Sequence, residues 1–240
     1  MIVPALFAAV VVAAAASLDV TDGAAFARDV AAAYALQAKG VESFLVTTTF
    51  DARGGPIHKS GYSQAAYVVV NGVPARHRVL KNVEDNRASD GAHLAAMATE
   101  PEGPLSHFGL RLPYLAGAVA DYRYAPPRET ATTIDLDFTT IVKDEAHGNG
   151  TLSYDRTENR IARVVFVPAA LPAHATAMTV TVDFGRTHEE RWDVVKISRA
   201  FSGREGIISG KGTSISVYER YRGYPSESVA LAALDALPSP

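Results

Sequence analysis

From residue 23 to 39 the apolar side chains recur at helical spacing, with Phe26, Val30 and Tyr34 forming a stripe among alanines. Thr21-Asp22 ahead of the stripe can cap this helix, and Gly40 ends it, as glycine does just past a helix. From 41 to 51 the period drops to two, which predicts a strand. Phe44, Val46 and Phe50 share one face, with Glu42 and Thr48 as exceptions to the alternation. A short apolar strand over 65–70 meets Asn71-Gly72, the strongest short signal for a type I′ hairpin, and the chain returns over 73–81. Residues 82–90 are polar and predict a loop.

The stretch 91–124 has no clean alternation. It carries Leu94, Met97, Leu105, Phe108, Leu110, Leu112, Tyr114, Leu115 and Val119, broken by Pro101, Pro104 and Pro113. Short helices and loops with much apolar surface to hide are expected there. Alternation then resumes. Ile134, Leu136, Phe138 and Val142 face one way and Asp135, Asp137 and Thr139 the other. His147-Gly148-Asn149-Gly150 reads as a turn before a strand beginning at 151–154, and residues 155–159 as a second turn before a strand over 161–167. Met178, Val180, Val182 and Phe184 mark the next strand, and 192–201 and 207–221 complete the series. A last short helix starts behind Ser226, a plausible N-cap, and runs to about 237.

About nine strands at hairpin spacing with few helices predict an α+β, mainly β fold. One wide antiparallel sheet, apolar on one face, curls into an incomplete barrel. The N-terminal helix and the insert at 91–124 are the elements available to cover its concave face.

Composition narrows the class. The 240 residues carry a formal net charge of -3 and are 48% hydrophobic, a globular mixture without the basic footprint of a nucleic-acid binder. Cysteine is absent, which excludes thiol catalysis, cysteine-held zinc and a lipidated cysteine. Residues 2–16 are an unbroken apolar run ending in Ala14-Ala15-Ala16, shorter than the roughly 20 residues of a bilayer span. A signal peptide over 1–16, a single domain over 17–240 and a periplasmic or secreted location are expected, the alternative for the apolar run being an N-terminal membrane anchor or a buried helix.

Catalytic motifs are missing. The seven histidines show no metal-ligand spacing and are expected to be exposed. Asp135 and Asp137 are neighbours on a polar strand face, where both should be solvated, and Asp144-Glu145 reads the same way. There is no G-x-S-x-G elbow, P-loop or dinucleotide fingerprint, and Gly203, Gly206, Gly210 and Gly212 suit turns and bulges. Trp192, Tyr218, Tyr221 and Tyr224 fit either an interaction surface or strand packing. The expectation is a protein that is not an enzyme and uses neither cofactor nor metal.

The order of helix, hairpin strands, apolar insert and long antiparallel run resembles the periplasmic lipoprotein carriers of LolA and LolB type. Tyr122-Arg123-Tyr124 after the insert, the stretch 148–155 and the last strand at 215–221 add to that resemblance. It implies an apolar cavity for lipid, acyl chain or lipid-modified protein. Phe44, Val46, Phe50, Ile134, Leu136, Phe138, Val180, Val182 and Phe184 are the expected wall. Leu94, Met97, Phe108, Leu112 and Leu115 are the expected lid. The alternative is an envelope module with the same fold that binds a protein partner.

Overall fold

The computed structural model describes residues 20–100, 102–188, 191–206 and 208–238, so the expected signal peptide lies outside the described residues. The first helix, α1 (Gly23–Gln37), begins where the Asp22 side chain accepts from the backbone N–H groups of Ala24 and Ala25. Strands β1 (Val41–Gly54), β2 (Ile57–Val70), β3 (Val73–Glu84) and β4 (Arg87–Ala88) follow as a meander. Asn71 and Gly72 both have positive φ, as a type I′ turn requires, and Asp85 and Asn86 repeat the device at the next hairpin. The insert holds α2 (Gly91–Met97), a run of turns, and a short 3-10 turn (Val119–Asp121). A second meander comprises β5 (Tyr122–Tyr124), β6 (Arg128–Glu129), β7 (Thr133–Thr140), β8 (Gly148–Asp155), β9 (Arg160–Pro168), β10 (Ala175–Arg186), β11 (Trp192–Glu205) and β12 (Ile208–Tyr224). Helix α3 (Glu227–Asp235) is capped by Ser226, whose hydroxyl accepts from the Val229 N–H.

All twelve strands described join one antiparallel sheet in the order β4-β3-β2-β1-β12-β11-β10-β9-β8-β7-β5, with β6 added on β7. The two meanders meet where β1 pairs with β12, and the sheet does not close. The architecture is the expected open, mainly β one, but several boundaries differ. β2 begins at Ile57 rather than at 65, and β3 continues to Glu84 through a stretch that reads as loop. Gly148 and Gly150 are strand residues, not a turn. They sit opposite Pro168 and Phe166, and a Cβ on Gly150 would lie 1.9 Å from the Val165 carbonyl oxygen. Glycine is there because β9 approaches too closely for a side chain.

The inner face is divided. α1 lays Phe26, Ala27 and Val30 against Ile134, Leu136, Phe138, Val180 and Val182 in the main apolar core, joined by Leu110, Leu112 and Tyr114 from the insert. Gly23 makes the approach possible: a Cβ there would stand 2.3 Å from the Ala125 carbonyl oxygen and 3.1 Å from Leu136 Cδ1. On the outer face α3 sets Ala230 and Leu234 on Leu45, Ala66 and Val68. Period-two geometry thus sends Phe44 into one layer and Leu45 into the other. α2 packs against β3, and its Leu94 and Met97 belong to neither layer's core.

Candidate functional site

β1 pairs Glu42, Phe44, Val46, Thr48 and Phe50 with Val69, Tyr67, Ala65, Ser63 and Gly61 of β2, so these positions share the inner face. On β12 and β11 the matching inner positions are Tyr218, Ser216 and Ser214, then Ile197, Arg199 and Phe201. α1 touches this half of the sheet only through its C-terminal end, where Tyr34 and Gln37 bond Asp193 and Trp192 of β11, and three hollows lie along it in file.

The first, about 510 Å³, sits beside the C-terminal end of α1 and is lined by Tyr34, Glu42, Phe44, Val69, Tyr114, Leu115 and Asp193 among others. The second, about 360 Å³, lies over Val46, Thr48, Tyr67, Arg199, Ser216 and Tyr218, beneath the insert. His107 and Phe108 line both and stand between them. The third, about 490 Å³, occupies the far end over Ala52, Ile57, Met178, Phe201 and Ile208, walled by the loop from Pro172 to Ala175. A larger, shallow hollow of about 860 Å³ lies on the outer face by Asp51, Arg53, Thr179, Ala200 and Thr213.

The walls are largely aromatic. Phe44 stacks with Tyr67 at 5.5 Å and with Phe108 at 6.1 Å between ring centroids, and packs against Tyr221 at 5.0 Å. Polar groups enter at defined points. Glu42 is 3% exposed, and burial raises its carboxyl from 4.5 to about 7 despite the Arg191 guanidinium 3.3 Å away. Asp193 accepts a 2.6 Å hydrogen bond from the Tyr34 hydroxyl. Burial, then the Asp193 charge, pushes the Tyr114 phenol up. Burial also lowers the His107 imidazole. Arg199, lowered by burial, donates to the Leu105 carbonyl at 2.6 Å and to Ser216 Oγ at 3.3 Å, tying the insert down.

Of the expected wall, Phe44 lines the first hollow and Val46 the second, while Phe50 is half-buried on the same face beside Gly61. Ile134, Leu136, Phe138, Val180, Val182 and Phe184 are 0–7% exposed and sealed beneath α1 and the insert. Of the expected lid, Phe108 and Leu115 border hollows, Leu112 is wholly in the core, and Leu94 and Met97 stand apart on α2. Glu42, Asp193, Arg199 and Tyr218 were not in the expected set. Glu42 and Thr48 had announced themselves as polar exceptions in a strand that is otherwise apolar on that face.

The histidines are not all exposed. His147 is buried, with Nδ1 2.7 Å from Asp144 and Nε2 3.2 Å from Asp121, pinning the β7–β8 loop to the end of the insert. Asp137 is held by Arg128 and by the Thr151 hydroxyl, and those bonds lower its carboxyl against the effect of burial. Trp192 donates to the Ile161 carbonyl, and Tyr218 and Tyr221 pack into the core, so the packing reading describes these aromatics. No group of three or more metal-ligating side chains occurs among the described residues.

No family model matches the sequence, and no curated protein matches it. Among solved structures the chain is similar to a DUF1329-family protein from Desulfovibrio piger, at 13% identity over 91% of this chain and 100% of that one, with a TM-score of 0.47. It is similar also to an outer membrane lipoprotein-sorting protein domain from Vibrio parahaemolyticus, at 11% identity over 82% and 93% of the two chains, with a TM-score of 0.41. A LolA-superfamily protein from Nitrosomonas europaea is similar at 11% identity over 83% and 96%, with a TM-score of 0.37.

Proposed function

We propose that this protein is an exported binder or carrier of elongated apolar or amphiphilic molecules, such as lipids or acyl chains, free or attached to protein. One observation supports it most: three hollows in file along the inner face of β1, β2, β11 and β12, walled by aromatic and aliphatic side chains. A flexible chain laid along them leaves water at roughly 25 cal/mol per Å², so about 200 Å² of buried chain returns roughly 5 kcal/mol before the costs of association. The role is binding rather than catalysis. The apolar run at 2–16 supports export, and no helix among the described residues is long and apolar enough to cross a membrane.

The test is mass spectrometry of organic extracts from the purified protein, beside an Ile57→Asp, Ile208→Asp double variant. Both side chains line the third hollow and are 46% and 38% exposed, so the fold tolerates the change. A lipid carried by the native protein and depleted in the folded variant is expected. An empty extract that stays empty after incubation with a lipid panel overturns the reading.

A second reading has its own observation. Val165, Val167, Ile215 and Val217 are 36–48% exposed on the outer face of β9 and β12, beside the shallow outer hollow. An apolar outer face suits a protein partner. Pull-down by the native protein but not by a Val167→Lys, Ile215→Lys variant would favour it.

A further inference from the structure

The hollow beside α1 is the most acidic of the three: the second carries Glu102 and Glu145 against Arg199, and the third is lined by Arg53, Lys59, Arg204 and Lys211. Three carboxylates, Glu42, Glu102 and Asp193, against one guanidinium, Arg111, line it together with the rings of Tyr34, Phe44 and Tyr114. Glu42 has Arg191 at 3.3 Å, but Arg191 also donates to the carbonyls of Gln37 and Lys39, which fixes it at the end of α1. Asp193 is answered only by hydroxyl and backbone donors: Tyr34 and its own neighbour's N–H, that of Val194. No ion pair to Asp193 occurs among the described residues. The Tyr114 hydroxyl, on a residue 1% exposed, has no hydrogen-bond partner in the structure although it borders this space.

A carboxylate among aromatic rings beside an unmatched hydroxyl acceptor is the chemistry that recognises an ammonium group. The carboxylate supplies the counter-charge, the ring faces attract the cation, and the hydroxyl takes an N–H bond. A carboxylate ligand meets Glu42 and Asp193 as like charges, and a neutral hydroxyl gains nothing from the rings. We propose that this hollow is an ammonium site, holding the amine head of an amphiphile against Asp193 while its apolar chain runs past His107 and Phe108 along the groove. The proposal rests on the groove being a ligand site and adds the class of head group.

The experiment is calorimetric titration of the whole protein at about pH 8 with octylamine, octanol and octanoate, which share a chain and differ in the head. Octylamine is expected to bind at least about tenfold more tightly than octanol, with octanoate weakest. Asp193→Asn is expected to remove most of that preference, with a circular dichroism spectrum and melting curve like those of the native protein showing that the variant is folded. Tyr114→Phe keeps the ring and should weaken octylamine alone, by severalfold. Equal binding of amine and alcohol, tighter binding of octanoate, or an Asp193→Asn protein that still prefers the amine overturns the head-group assignment while leaving the groove standing. Binding of none of the three overturns the groove and the assignment together.

Discussion

Replacing Glu42 by glutamine probes the cost of keeping a carboxylate on an otherwise apolar sheet face. Glu42 is 3% exposed, and burial raises its carboxyl from 4.5 to about 7, with Arg191 offsetting part of the effect and Asp193 adding to it. The folded state therefore holds this proton more tightly than the unfolded chain. Below about pH 4.5 the group is neutral in both states and contributes nothing. As pH rises from there to about 7, the unfolded chain ionises first and stability falls; above about 7 both are ionised and the loss is complete. At about 1.4 kcal/mol per pH unit, the interval between 4.5 and about 7 makes that loss about 3 kcal/mol. Glutamine keeps the shape without the ionisation. The stability gap, Glu42→Gln minus native, should therefore widen by about 3 kcal/mol between about pH 4.5 and about pH 8. Urea unfolding at several pH values measures it, and subtracting the native curve cancels the other titrating groups. A gap that is flat, or that narrows as pH rises, refutes the reasoning.

Three further outcomes follow from the packing. Leu136, 0% exposed beneath α1, is structural, so Leu136→Ala should cost about 2–5 kcal/mol in urea unfolding; a loss below about 1 kcal/mol would mean that the site faces open space. Gly150→Ala pushes a methyl to 1.9 Å from the Val165 oxygen and should lower stability by about 1–3 kcal/mol or more, with amide exchange of β8 and β9 accelerating first. Arg199→Met removes the 2.6 Å tie to Leu105 yet fills the same apolar space, so global stability should change little while amides of 103–108 exchange faster; unchanged exchange there would show that the arginine does not hold the insert.

Much of the sheet was legible because the strands beneath α1, β7 to β10, each turn an apolar face inward. The sequence places Met178, Val180, Val182 and Phe184 on one face, and all four are in the inner core. Local chemistry also served at Asn71-Gly72 and at Ser226, where the turn and the cap are decided by the residues themselves. β2 before residue 65 was hidden because both of its faces are partly wet at the far end of the sheet, so nothing forces alternation there. The glycines of β8 mislead for a non-local reason: their smallness serves Phe166 and the backbone of β9, and a turn uses the same residues. The candidate site was half legible. Alternation identifies which side chains face inward, but not which part of the inner face a helix will cover.

That division follows from how each cover is attached. α1 is fixed at both ends: Gly23 lets it close on Ala125, Phe26 meets Tyr154 edge-on at 5.8 Å, and Tyr34 is tied to Asp193 and Gln37 to the Trp192 N–H. Lifting it would expose Phe26, Ala27, Val30 and Ala31, each 0–1% exposed, at roughly 1.5–3 kcal/mol for each large side chain. The insert is attached unevenly. Leu110, Leu112 and Tyr114 are anchored in the same core, whereas residues 102–108 rest on half-buried Leu105, His107 and Phe108, with Arg199 as a polar tie. Freeing that segment breaks the Arg199 bond to Leu105, the hydrogen bonds of Glu102 with Tyr67 and of the His107 backbone with Tyr218, and a few ring contacts, whereas lifting α1 exposes its whole buried stripe. The inner face is therefore filled by α1 and the anchored part of the insert over β7–β10, and covered by the less deeply buried residues 102–108 over Val46, Tyr67, Arg199 and Tyr218. Beneath that looser cover lies the second hollow, and His107 and Phe108 of the same segment border the first.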